Sequence, residues 1–288
     1  MAESDRAPDG AVTRRHFLAA ATALATGATL YGGDARAAAG PLMTRPIPRT
    51  GERLPVIGLG TAIVFDIGED AARRAERSLV IAALVENGAR VIDTAPSYGT
   101  AESVAGDLVA ALGVRDRVFL ATKVRAAPRE AAAAEMQASL RRLRSSRLDL
   151  MQIHNPGADL AAAADQLALL REWKERNVFR YLGVTHFQEA ANERLIALME
   201  REKLEFVQVN YSMAERSVER RLLPAAAATG TAVLVNLPFA RAKLFSAVRG
   251  KQVPEWAAEF DATSWGQFFL KYVLAHEAVT CVIPGMDK

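Results

Sequence analysis

The chain has 288 residues, half of them hydrophobic and 24% charged, with 36 Lys and Arg against 33 Asp and Glu for a net charge of +3. These ordinary globular values argue against extended disorder, a collagen-like repeat and a multi-span membrane protein, and the small, evenly spread cationic excess argues against a nucleic-acid partner. One cysteine, Cys281, excludes an internal disulfide and a cysteine-based zinc site, and four histidines leave little for a metal centre, so none is expected.

The first segment reads as an address. Thr13-Arg14-Arg15-His16-Phe17-Leu18 opens a run of small and apolar residues over 17–31, and Ala35-Arg36-Ala37 supplies a cleavage pattern. Paired arginines before Phe-Leu fit a twin-arginine signal, so residues 1–37 are expected to engage the twin-arginine export machinery and to be removed, leaving 38–288 as one periplasmic domain. An uncleaved anchor in the inner membrane is the alternative. Export of a folded chain is expected when a cofactor is loaded first.

An extended proline-rich lead, Arg45-Pro46-Ile47-Pro48, and a turn at Thr50-Gly51-Glu52 precede a regular alternation. Continuous apolar runs of four to seven residues predict strands over 56–61, 90–94, 118–123, 148–154, 180–185, 206–210, 232–236 and 279–283. Helical patterns lie between them at 71–87, 101–112, 129–144, 161–175, 190–202, 217–228 and 263–276. Eight such units predict an α/β fold, the (β/α)8 TIM barrel, which fills about 250 residues as one domain. An open doubly wound sheet is the runner-up. Its glycine signal is weak, because Gly58-Leu59-Gly60-Thr61 lacks a third glycine and leads into no helix.

Barrel chemistry sits where strands end. The second predicted strand ends in Asp93 with Tyr98 in the next loop, the third in Lys123, and the fourth in His154 with Asn155. A phenol is a poor acid near neutrality unless a cation stabilises its phenolate; Lys123 supplies that cation, Asp93 holds it, and a neutral His154 polarises a carbonyl. Such a set donates a proton to an oxygen while a cofactor delivers hydride to carbon. Each residue also has a plain structural reading, as a cap, an anchor or a core histidine.

From Pro46 to Gly285 the chain resembles the aldo-keto reductases. The resemblance rests on Leu54-Pro55-Val56-Ile57-Gly58-Leu59-Gly60-Thr61, Val91-Ile92-Asp93-Thr94-Ala95-Pro96-Ser97-Tyr98-Gly99 with Glu102, Ala121-Thr122-Lys123, Leu148-Asp149-Leu150-Met151-Gln152-Ile153-His154, Leu182-Gly183-Val184-Thr185-His186-Phe187, Val207-Gln208-Val209-Asn210-Tyr211-Ser212 and Val282-Ile283-Pro284-Gly285. It implies NADPH-dependent reduction of a small-molecule aldehyde or ketone, with Asp93, Tyr98, Lys123 and His154 as the catalytic tetrad, Tyr98 as general acid and Lys123 lowering its pKa. It also implies Thr185, His186 and Gln208 around the nicotinamide carboxamide, with Gly60, Thr61, Asp93, Pro238, Phe239, Ile283 and Gly285 among the remaining NADP contacts.

Departures from the family pattern set further expectations. Thr185-His186 replaces a common Ser-Asn, and Asn236-Leu237-Pro238-Phe239 stands where an aromatic often stacks on the nicotinamide. Arg241 and Lys243 replace glycines and are read either as pyrophosphate ligands or as a solvated loop. Only Met286-Asp287-Lys288 follow Gly285, where the family continues into an adenosine clamp and an eighth outer helix. The expectation is a truncated reductase without that helix, with apolar surface open on the first and last strands; cover by another chain is the alternative. Arg141, Arg142, Arg144 and Arg147 read as a solvated helix end, and Trp173, Trp256 and Trp265 as packing residues. The long loop 244–262 is expected to shape a pocket, with Phe65 and Trp256 lining the substrate site. Because free NADPH is not expected outside the cytoplasm, an exported enzyme is expected to hold its cofactor tightly and to recharge it through a redox partner. A barrel serving as a ligand-binding or partner-docking module is the alternative function.

Overall fold

A computed structural model describes residues 41–125 and 128–286. An antiparallel hairpin of β1 (Thr44–Pro46) and β2 (Arg53–Pro55) comes first. Eight parallel strands follow in unbroken neighbour order: β3 (Gly58–Gly60), β4 (Val91–Asp93), β5 (Phe119–Val124), β6 (Leu148–His154), β7 (Phe179–His186), β8 (Phe206–Asn210), β9 (Ala232–Asn236) and β10 (Val279–Val282). The ring closes where Val282 N donates to Val56 O at 2.9 Å and Gly60 N donates to Pro284 O at 2.9 Å. All eight predicted strands and the barrel are present.

The outer helices are α1 (Ala71–Glu86), α2 (Ala101–Ala111), α3 (Arg129–Arg142), α4 (Leu160–Glu175), α5 (Asn192–Glu202), α6 (Leu222–Thr229), α7 (Lys243–Ala247) and α8 (Trp265–Leu274). Local chemistry fixes their starts: Asp70 and Asp159 accept first-turn amides, and Ser264 forms a capping box with Gln267. The stretch expected as a loop over 244–262 instead contains α7 and a 3₁₀ segment, Glu255–Phe260. Among the described residues no helix follows β10. There an apolar groove of about 650 Å³, lined by Leu42, Ile57, Leu79, Val80, Leu84 and Met286, runs along α1, with Leu79 71% exposed.

Two cores hold the barrel. The larger lies between strands and helices; the smaller fills the lumen with Val91, Phe119, Ala121, Leu150, Tyr181, Phe206, Leu234, Cys281 and Ile283. Ile47 and Leu54 of the hairpin join this inner core, so the segment read as an extended lead plugs the barrel floor. Arg45 secures the plug by donating to the carbonyls of His276, Leu274 and Val279.

Alternation along each strand turns polar at the opposite end. Leu150 faces the lumen and so, two and four residues on, do Gln152 and His154; the same step leads from Ala121 to Lys123, from Phe206 to Gln208 and from Leu234 to Asn236. A second device aligns one of these strands, β5, with the loop beside it. Glu102, on α2, accepts Thr122 Oγ1 of β5 at 2.6 Å and Arg142 Nε of α3 at 2.7 Å while only 1% exposed. It fixes α2, and so the loop that carries Tyr98, to the strand that carries Lys123.

Candidate active site

The four residues expected at the strand ends converge on the barrel mouth. Lys123 Nζ donates to both Asp93 oxygens, at 2.8 and 2.7 Å, and to Thr94 O at 2.7 Å, with both side chains buried. The same ammonium lies 5.1 Å from the centroid of the Tyr98 ring, and the Tyr98 and His154 rings meet edge to face at 5.9 Å. Tyr98 is held by a turn, Tyr98 N to Ala95 O at 3.1 Å, and by left-handed Gly99, φ 59°, whose missing Cβ makes room for the Asp66 carboxylate. Asp66 Oδ1 in turn accepts Thr100 N and Oγ1, each at 2.9 Å, clasping the loop after β3 to the loop after β4.

Burial and charge set the protonation states. Burial pulls the Lys123 ammonium down, but Asp93 and Tyr98 outweigh it and hold the group above the usual lysine range. Burial pushes the Asp93 carboxyl up against the pull of Lys123 and Gln208. Tyr98 stands above its ordinary value, because burial outweighs the lowering by Lys123. The expectation that Lys123 lowers the phenol therefore holds for its own contribution and not for the net position. The phenol stays protonated at neutral pH, as a proton donor must, and the cation's benefit falls on the phenolate formed when the proton leaves.

His154 is brought down to about 3 from 6.5, first by burial and then by Lys123 and Arg125. It is neutral at physiological pH. Ser97 Oγ lies 3.4 Å from its Nδ1, a contact that sequence reasoning missed although Ser97 adjoins Tyr98; a hydroxyl proton given to Nδ1 leaves Nε2 as the donor. Between pH 6.5 and about 3 the unfolded chain binds a proton at this residue that the folded chain refuses, so stability present above 6.5 is lost as pH falls toward about 3. We expect thermal midpoints of His154→Gln to fall less steeply across that window than those of the parent. Parallel curves would show that His154 is not buried in its neutral form.

The expected cofactor residues divide into three groups. Thr185, His186 and Gln208 lie together on β7 and β8, buried, and His186 Nδ1 accepts Gln188 N at 3.0 Å, so its Nε2 is free to donate. Both donors of Gln208 are engaged, by Asp93 Oδ2 at 3.1 Å and Asn236 Oδ1 at 2.6 Å, which leaves one Oε1 lone pair beyond the bond from Gln152. Thr185 is paired with Gln208, so its hydroxyl and that lone pair offer the donor and acceptor that an amide such as a carboxamide needs; Thr61 Oγ1, Thr94 Oγ1, Gln152 Oε1 and Asn210 Oδ1 are also buried without a hydrogen-bond partner among the described residues.

Gly60, Ile283 and Gly285 form the seam between β3 and β10. A Cβ on Gly60 would stand 2.7 Å from Ile283 O, so this glycine serves barrel closure. Pro238 is buried; Phe239 is half-buried with its ring 4.9 Å from Phe245; Arg241 is exposed within a run of left-handed residues from Ala240 to Ala242, and Lys243 is exposed just after it.

The two residues expected to line the substrate site pack with the outer core. Phe65 has no exposed surface and belongs to the outer core, because Phe65 N bonds back to Thr61 O and folds the ring under the loop. Trp256 packs edge to face on Phe268 of α8 at 5.6 Å and near Phe260 at 5.9 Å, a satellite of the outer core. Sequence gives aromatic content there, but long-range packing decides which way the ring turns.

The Aldo/keto reductase family matches residues 56–288. The chain belongs to this family. Methylglyoxal reductase YeaE of Escherichia coli (strain K12) is 31% identical over 234 residues, covering 80% of each protein. An aldo-keto reductase of Mycolicibacterium smegmatis is 37% identical over 149 residues, about half of each. An aldo/keto reductase from Klebsiella pneumoniae, solved in complex with NADP and acetate, superposes with a TM-score of 0.71 at 28% identity and 83% coverage of both chains. The expected barrel and family are thus both found. In this aldo/keto reductase chain Asp93, Lys123, Tyr98 and His154 are linked by successive contacts at the barrel mouth.

Proposed function

We propose that this chain reduces an aldehyde or ketone to an alcohol with NADPH, and that Tyr98 is the general acid. The observation that carries the reading is a buried Lys123 ammonium, clamped by both oxygens of Asp93, set beside the Tyr98 ring. NADPH, when bound, supplies the hydride. Tyr98 gives its hydroxyl proton to the carbonyl oxygen, Lys123 stabilises the phenolate left behind, and neutral His154 directs the oxygen toward Tyr98 by donating from Nε2. Thr185, His186 and the remaining Gln208 lone pair orient the nicotinamide amide, and Arg241 and Lys243 meet the pyrophosphate as exposed cations just before and at the start of α7.

Support for the cofactor comes from the Klebsiella relative crystallised with NADP, and for a small carbonyl from the name of the E. coli relative. Fluorescence titration with NADPH, followed by its oxidation with methylglyoxal, tests the reading. Saturable binding with cofactor-dependent turnover is expected; neither binding nor oxidation would overturn it.

The twin-arginine segment lies outside the described residues. Its Thr13-Arg14-Arg15-His16-Phe17-Leu18 pattern supports export to the periplasm, with tightly held cofactor recharged by a redox partner. Replacing Arg14 and Arg15 by lysine is expected to retain the protein in the cytoplasm, uncleaved. Unchanged periplasmic recovery would remove the export proposal without touching the reductase.

A further inference from the structure

The upper lumen carries a polar array that the tetrad does not include. Gln152 Nε2 on β6 donates to Gln208 Oε1 on β8 at 2.5 Å; Gln208 Nε2 donates across the barrel to Asp93 Oδ2 on β4 at 3.1 Å and also to Asn236 Oδ1 on β9 at 2.6 Å. Gln152 and Gln208 have no more than 1% of their surface exposed. On β7, the strand between theirs, Gln152 is paired with Gly183 and Gln208 with Thr185, so the position beside Gln152 carries no side chain.

The direction of every bond in the array is forced. An ionised carboxylate only accepts, so Gln208 must turn its NH2 toward Asp93; its oxygen then faces Gln152, which must donate, and Asn236 must offer its oxygen to the second N–H. Three amides thus hold one orientation because of one carboxylate, and they hold that carboxylate in return. Asp93 Oδ2 receives Gln208 and Lys123 together, which fixes the carboxylate plane and with it the position of Nζ beside Tyr98.

We propose that Gln152 and Asn236 are positioning residues that act through Gln208 to hold Asp93, and so Lys123, in register with Tyr98. The inference deepens the reductase reading of this site and rests on it. Without either amide, Gln208 keeps two of its three anchors, its bond to the carboxylate loosens, and the ammonium is less firmly pinned against the phenol.

Ultraviolet difference titration of Tyr98, taken as each protein minus its Tyr98→Phe counterpart, reads this register without cofactor or turnover. Gln152→Met keeps volume and removes the amide. It is expected to move the Tyr98 ionisation upward by about one pH unit and to lower kcat about tenfold with little change in KM. Asn236→Ala is expected to move the ionisation the same way by less. A side chain that serves only packing would alter thermal stability and leave the Tyr98 titration in place.

An unmoved titration in folded Gln152→Met overturns the proposal, and if that variant does not fold, an unmoved titration in Asn236→Ala does so alone. The two readings fail separately. A moved titration in a chain that neither binds NADPH nor reduces a carbonyl removes the reductase and keeps the positioning array, whereas an unmoved titration in an active enzyme does the reverse.

Discussion

Tyr98→Phe is expected to reduce turnover by about 10²- to 10⁴-fold, the range for a positioned general acid, while NADPH affinity stays within about twofold. The phenylalanine ring keeps the edge-to-face contact with His154 and the packing against the outer core, so the loss is confined to the hydroxyl, with its proton and its hydrogen bond to Lys123. Because that proton is needed in the transition state, kcat falls and KM changes little. Steady-state kinetics on a small aldehyde, with fluorescence titration of the cofactor, separates the two quantities. Parent-like kcat in the variant would place the proton donor elsewhere.

Lys123→Met should have the second large effect, on stability as well as rate. Removing one member of a buried, hydrogen-bonded pair leaves the other charged in the lumen, at a cost of about 3–5 kcal/mol. Asp93 is already pushed up by burial, and without the cation it is pushed further. The variant should therefore become more stable as pH falls, the opposite of the trend set by His154, because a protonated Asp93 is tolerated in its buried position. Adding Asp93→Asn should restore much of the stability and none of the turnover, since the amide replaces the charge but no cation faces Tyr98. Denaturant melts at several pH values would check this. Equal stability of parent and Lys123→Met at neutral pH would mean that the pair is not buried together.

The barrel was legible because its strands are short, continuous apolar runs separated by amphipathic segments, and β6, β8 and β9 match their predicted limits. The tetrad was legible because barrel topology brings consecutive strand ends to one mouth, so Asp93, Lys123 and His154 needed only the strand count. The rest depends on contacts distant in sequence. The hairpin plug was hidden because β1 and β2 are three residues each, and only Ile47 and Leu54 inside the barrel show what they do.

The amide array was hidden for a different reason. Gln152 and Gln208 sit inside runs read as apolar and double-sided, and the two-residue alternation from Leu150 and Phe206 was the available signal. Asp66 and Ser97 carry no signal of their own; their roles come from Thr100 and His154, 34 and 57 residues away. Phe65 and Trp256 show the converse: aromatic content near a mouth is visible in sequence, whereas the packing of Phe65 in the outer core and of Trp256 against it depends on distant contacts.

The most direct test of the central claim is transfer of the hydride itself. The chain should be incubated with a small aldehyde and NADPH deuterated on the transferring carbon of its nicotinamide, and the alcohol analysed by mass spectrometry. One deuterium on the carbinol carbon, with the signal lost in Tyr98→Phe, is the predicted result. Alcohol without deuterium, or no alcohol from a folded chain that has bound the cofactor, would contradict the account.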